Sequence, residues 1–206
     1  MMIAELFGLP GSGKSTLAGI LAERHNFAVI KIKNKAELVF LNFVYFIKHP
    51  IRFFATLFCL VKNSDSWPAF YYKFTNTFLH HNAKYQKALK AGKAVLDQGY
   101  LQNLLSVFDR PISEDFLKRY ARRLLLPDKL IILDLPFSET QRRLETRGYI
   151  LRQNFGRQAR QKWTEAIKSN YDLFLKNISQ LSLDYSVIDA RQSVDGVVRD
   201  TLNFLK

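Results

Sequence analysis

Gly8-Leu9-Pro10-Gly11-Ser12-Gly13-Lys14-Ser15-Thr16 satisfies the phosphate-loop pattern G-x-x-x-x-G-K-[ST] through Gly8, Gly13, Lys14 and Ser15. Ile3–Phe7 reads as a short buried strand leading into it, and 16–23 as a helix leading out. Glycines let such a loop curl so that successive backbone N–H groups point inward at phosphate oxygens. The positive end of the following helix adds to that field. In this pattern Gly8, Gly11, Ser12, Gly13 and Thr16 shape the cradle. Lys14 reaches the β- and γ-phosphates, and the Ser15 hydroxyl ligates Mg²⁺.

A dinucleotide-binding reading fails on the residues. That motif wants G-x-G-x-x-G and an acidic residue about twenty positions on, to hold a ribose. Here Gly11-x-Gly13 is followed by Thr16, and the second apolar run, Phe27-Ala28-Val29-Ile30, leads into Lys31 and Lys33. The expected ligand is a nucleoside triphosphate, not NAD.

Working outward, strands and helices alternate. Strands are expected at Ile3–Phe7, Phe27–Ile32, Ala94–Asp97, Leu130–Asp134 and Tyr185–Asp189. Helices are expected at Ser113–Leu126, Ser138–Thr146, Arg157–Leu181 and from Val194 to the C-terminus. Short continuous apolar runs fit strands covered on both faces, and hence a parallel sheet in an α/β fold. The 206 residues show no repeat, low-complexity tract or linker, so one domain, 1–206, is expected. Cys59 is the single cysteine, which fits a reducing compartment, and no signal-peptide pattern opens the sequence; a cytoplasmic setting is the expectation.

Residues 38–85 break the alternation. Of the chain's 28 aromatic residues, 14 fall between Phe40 and Tyr85. Leu38–Ile47 and Phe53–Val61 are almost wholly apolar, separated by Lys48-His49-Pro50-Ile51-Arg52. A membrane span needs about twenty uninterrupted apolar residues, which this break denies. Two short helices packed over the nucleotide core are expected, with a membrane-surface role as the alternative, because aromatics mixed with Lys and Arg suit the interface. His49, His80 and His81 lack metal-ligand spacing and read as surface or packing residues.

The net charge of +13 implies acidic partners. It concentrates at Arg142, Arg143, Arg147, Arg152, Arg157, Arg160 and Lys162, with Glu145 the one acid among them. Two strands end in aspartate, and in phosphate-loop folds such a residue holds Mg²⁺. Asp97 precedes Gln98-Gly99, where glycine would keep a pocket open, whereas Asp134 precedes Leu135-Pro136, a helix entry. Asp97 is assigned the metal or catalytic role and Asp134 a structural one.

In combination, Gly8–Thr16, the 91–99 stretch AGKAVLDQG and the 127–136 stretch PDKLIILDLP resemble the thymidylate kinase branch of the P-loop nucleotide and nucleoside kinases. Arg142–Gly148 resembles the start of that family's lid, and Val187–Ser193, including Arg191, its last strand and base-side loop. The resemblance implies a three-layer fold with a five-stranded sheet in the order 2-3-1-4-5, a mobile lid at about 147–160 and an acceptor-side insert at about 33–92. It implies ATP as donor with Mg²⁺. It also places Arg143 against the adenine, Arg147 on donor phosphates, and Arg152, with Arg157 beside it, at the transferred group. A lid arginine entering a closed site supplies positive charge where it develops and excludes water.

The acceptor side departs from the family. Gln98 stands where the family carries an arginine that neutralises an acceptor phosphate, and no arginine motif follows the second strand. A hydroxyl acceptor, unlike a phosphate, benefits from a carboxylate that takes its proton. The leading expectation is a Mg²⁺-dependent kinase of a small molecule, nucleotide or nucleoside, with Lys14, Asp97, Arg147 and Arg152 catalytic; a homodimer is left open. The alternatives are an NTP-dependent switch or ATPase whose aromatic, basic region binds a membrane surface or protein, and phosphorylation of a nucleic-acid end, which lacks a supporting binding motif.

Overall fold

The computed structural model describes residues 1–148 and 156–206. β1 (Met2–Phe7) runs into the phosphate loop and α1 (Lys14–His25). β2 follows, as Ala28–Val29 alone rather than the expected Phe27–Ile32. Phe27 turns into the core. Beyond Ile30, whose N–H still donates to Val95 O, the chain carries Lys31 and Lys33 into solvent and leaves the sheet.

The insert is helical throughout: α2 (Lys35–Lys48), α3 (Pro50–Lys62), α4 (Trp67–Lys73), a π-helical turn (Phe74–Phe78) and α5 (Leu79–Ala88). The Asn34 side chain caps α2 by accepting from Glu37 N–H, and Pro50 both ends α2 and starts α3. β3 (Lys93–Leu96) returns the chain to the sheet, and α6 (Asn103–Ser106) and α7 (Glu114–Ala121) follow. Then come β4 (Lys129–Asp134), α8 (Phe137–Thr146), α9 (Arg157–Asn177) with a 3₁₀ turn at Ile178–Gln180, β5 (Tyr185–Asp189) and α10 (Val194–Leu205). Two helices are thus shorter than their apolar patterns indicate, 113–126 and 157–181. Each ends in a few residues of turn.

All strand pairs are parallel, in the order β2-β3-β1-β4-β5, with Ala4 of central β1 opposite Val95 and Lys129. Helices cover both faces. One apolar cluster joins β1 and β4 residues Leu6, Ile131 and Leu133 to Leu17 and Leu21 of α1 and Val198 and Leu205 of α10. The other joins Ile3, Phe7, Leu96 and Leu130 to Tyr45, Leu60 and Phe78 of the insert and to Ile167 and Phe174 of α9. The insert therefore shares the sheet's own core.

Polar groups fix it there. The Asn42 amide donates to Leu38 O and Leu79 O and accepts from Asn82, which in turn accepts from the Tyr100 hydroxyl. Lys73, 1% exposed, donates to Asn63 O and pairs with Asp109 at 2.6 Å. Removing one partner of so buried a pair costs about 3–5 kcal/mol, because the other charge is stranded.

Candidate functional site

The phosphate loop leaves β1 at the carboxyl edge of the sheet. Gly11 and Gly13 adopt φ of 88° and 100°, a region that L side chains rarely enter, and Gly13 caps α1. Lys14 is buried. Its ammonium donates to Gly8 O at 2.8 Å and Leu9 O at 2.9 Å, which holds it inside the cradle. Burial pulls its pKa down to about 8, opposed by the charge of Asp97. Ser15 and Thr16 are exposed at the first turn of α1.

Beneath the loop lies a buried carboxylate that sequence reading missed. Glu5 accepts from the Tyr85 hydroxyl at 2.7 Å, from Leu101 N–H at 2.8 Å and from Gln102 N–H at 3.2 Å. Burial pushes its pKa up to about 7. A side chain at Gly99 would overlap this carboxyl group. Gly99 therefore serves the packing of Glu5 rather than an open pocket, contrary to the expectation above. Gln102, clamped by Glu5, accepts from Gly8 N–H and donates to Gly8 O. One chain of contacts thus runs from the core of β1 through the segment after β3 to the phosphate loop.

Two cavities flank the loop. One, of about 340 Å³, lies between α8 and the segment after β5 and is lined by Arg143, Ala190, Gln192, Val194, Val197 and Val198. Arg143 crosses this side, donating to Ala190 O at 3.0 Å. The other, of about 330 Å³, lies between the loop and the insert. Tyr72, Asn76, Thr77 and His81 line it from the insert, Gln98 and Gln102 from the segment after β3, and Trp163 from α9. Gly13, Thr16 and Arg147 line both. Burial drives the His81 pKa down to about 3, so the imidazole is neutral, and its Nδ1 has no hydrogen-bond partner among the described residues.

Of the residues singled out in the sequence, the structure brings Gly11, Gly13, Lys14, Ser15, Thr16 and Arg147 to one cavity, and Ser12, Arg143 and Arg147 to the other. Asp97 sits at the end of β3, partly exposed, and pairs with Lys84 at 2.8 Å. Asp134 accepts from the Tyr171 hydroxyl at 2.9 Å. Arg191 is exposed and folds back on Asp189, to which its Nε and Nη2 donate; it lines neither cavity. Arg152 lies outside the described residues, as does half of the expected lid, 149–155. Among the described residues, no cluster of three or more metal-ligating side chains occurs. The oxygen donors that fit a phosphate-bound Mg²⁺ are the Ser15 hydroxyl, exposed beside the cradle, and the Asp97 carboxylate, close enough to act on Lys14. The insert-side residues Asn76, Thr77 and His81 carried no local motif, and they lie among other polar residues of the π-helical turn and α5 that do not mark them out.

Fold and loop together define a P-loop nucleoside-triphosphate-binding protein. Residues 5–164, most of the chain, match the family model described as AAA domain, and the chain belongs to that family. No curated protein matches it. Among solved structures, the chain is similar to deoxyadenosine kinase from M. mycoides with the products dCMP and a flexible dCDP bound. That match has 17% identity, 99% of this chain and 98% of that one covered, and a TM-score of 0.57. The same enzyme with bound dATP matches at 14% identity, 99% coverage of both chains and a TM-score of 0.55. YorR protein from Bacillus subtilis, in complex with phosphorylated GDP, matches at 15% identity, with 98% and 94% coverage and a TM-score of 0.50. The fold is that of the P-loop nucleoside kinases.

Proposed function

We propose that this chain is a kinase that transfers the γ-phosphoryl group of ATP to a neutral, hydroxyl-bearing acceptor of nucleoside size. The observation that carries the reading is the pair of cavities on either side of one phosphate loop, sharing Gly13, Thr16 and Arg147. A donor base fits the cavity beneath Arg143, its triphosphate fits the glycine cradle, and an acceptor fits the cavity facing the insert. Phosphoryl transfer asks little covalent chemistry of a protein, so catalysis rests on positioning and on charge around the moving group.

The chain's residues divide those tasks. Lys14 and Arg147 supply positive charge between the cavities, and Arg152 is assigned to the same task by the family resemblance alone. Mg²⁺ supplies neutralisation of the β- and γ-oxygens when bound, and Ser15 and Asp97 would hold it. Asp97 pairs with Lys84 and lines neither cavity, so to take the proton of an acceptor hydroxyl it would have to leave that ion pair.

The described lining supports a neutral acceptor. Among the described residues, the cations of the insert-facing cavity are Lys14, held in the phosphate loop, and Arg147, which borders both cavities. Asn76, Thr77, His81, Gln98 and Gln102 are uncharged hydrogen-bonding groups. A buried acceptor phosphate facing these alone would stand unpaired, at a cost of several kcal/mol. The M. mycoides deoxyadenosine kinase, of the same fold, is named for a nucleoside substrate, which supports this choice over a nucleotide.

The test is nucleotide-coupled ADP release with panels of nucleosides, nucleoside monophosphates and sugars. Stimulation by a nucleoside, lost in Lys14→Ala, is the expected result. Stimulation by monophosphates alone, or no stimulation by any panel, overturns it.

A further inference from the structure

The insert is apolar on two sides, and only one of them meets the core. On α2, Leu41 and Tyr45 are buried while Phe40, Phe43 and Ile47 are exposed. On α3, Cys59 and Leu60 are buried, whereas Ile51, Phe54, Phe58 and Val61 form an outward stripe at i, i+3, i+7 and i+10. Ile51 is 84% exposed. α4 adds Trp67 and Tyr71, exposed by 73% and 60%. A helix hydrophobic all round is ordinarily buried all round, and apolar surface on this scale marks an interaction site.

Charge identifies the occupant. Residues 38–64 contain no acid, while Lys48, Arg52 and Lys62 stand at the ends of α2 and α3. Exposed Lys48 and Lys62 flank the apolar stripe. Aromatic and aliphatic side chains edged by lysines match the boundary between lipid acyl chains and anionic headgroups. A second copy of this chain fits poorly. A two-fold interface would lay the face on itself and set these cations together, with Asp65, between α3 and α4, the one acid near the face and already paired with Arg110. No single helix among the described residues is long and apolar enough to cross a bilayer, and α2 and α3, which are so only together, are bent by 114° at their break. At 14 and 13 residues each is about 20 Å long, against a hydrocarbon core of roughly 30 Å.

We propose that the outward faces of α2, α3 and α4 seat this protein on an anionic lipid bilayer, lying in the interface rather than crossing it. The seating adjoins the insert-facing cavity, because Tyr72, next to Tyr71 on α4, lines that cavity. It does not depend on the kinase reading.

The full chain is sedimented with vesicles of phosphatidylcholine alone and of phosphatidylcholine with phosphatidylglycerol, at low and at physiological salt. Tryptophan emission is followed in parallel. Binding to the anionic vesicles with a blue shift is expected, weakening as salt rises. Phe54→Ser/Phe58→Ser should weaken it about tenfold or more. Lys48→Gln/Lys62→Gln should weaken it by about fivefold for each lysine and keeps the proposal testable if the first variant misfolds. Absence of binding at low salt overturns the proposal, as does binding that neither double variant changes. A lipid-indifferent dimer that Phe54→Ser/Phe58→Ser dissociates also overturns it, and assigns the face to a second copy.

Discussion

Gln102 holds Gly8 by both backbone groups of the glycine, accepting from its N–H at 3.3 Å and donating to its carbonyl at 3.1 Å. The contact joins the segment after β3 to the phosphate loop across 94 residues of sequence. Gln102→Ala leaves the buried Gly8 N–H without this partner, a penalty of about 1–3 kcal/mol. The expected outcome is a stable fold with donor affinity reduced on the order of tenfold, measured by titration with a fluorescent ATP analogue.

Glu5 makes stability depend on pH. Its folded pKa of about 7 exceeds the ordinary carboxylate value of 4.5, so the folded protein keeps the proton after the unfolded chain has lost it. The stabilisation is therefore full below about pH 4.5 and is lost as pH rises to about 7, a change of ~3 kcal/mol. Glu5→Gln should remove this slope. Urea denaturation of both proteins between pH 4.5 and 8 checks it, and parallel curves would refute it.

Lys14 gives the donor site a pH limit of its own. The free ammonium titrates near pH 8, and a bound triphosphate favours the charged form. Donor affinity should be flat below pH 8 and fall above it, by up to tenfold per unit. Calorimetric titration across pH 6.5–9.5 tests this, with Lys14→Met expected to bind weakly and without the inflection.

Arg147 borders both cavities and Arg143 only one. Arg143→Ala should raise the donor KM about tenfold with little change in kcat. Arg147→Ala should lower kcat as well, on the order of a hundredfold, as expected for charge that acts on the moving group. Steady-state kinetics separates the two.

The strands and the phosphate loop were legible because their signals are local: glycines at fixed offsets, and apolar runs of strand length; the sheet order came only with the family resemblance, and the structure bears it out. β2 was overestimated because Phe27–Ile30 is a continuous apolar run with Ile32 beyond it, yet the strand pairs only through Ala28–Val29, an edge whose continuation is drawn to solvent by its lysines. The role of Gly99 was misread because its cause, Glu5, lies 94 positions earlier in the sequence and looks unremarkable in an apolar strand. The insert was expected on the acceptor side, but the polar lining of the cavity it forms was not legible. Its residues come from the π-helical turn, the segment after β3 and α9, which only the tertiary fold brings together.

The central claim is tested most directly by incubating the protein with γ-labelled ATP and a mixture of nucleosides and nucleoside monophosphates, then separating the products. Label in a nucleoside monophosphate, absent with Lys14→Ala, is the predicted result. Label only in diphosphates or only in free phosphate contradicts a neutral hydroxyl acceptor in the cavity between the phosphate loop and the insert.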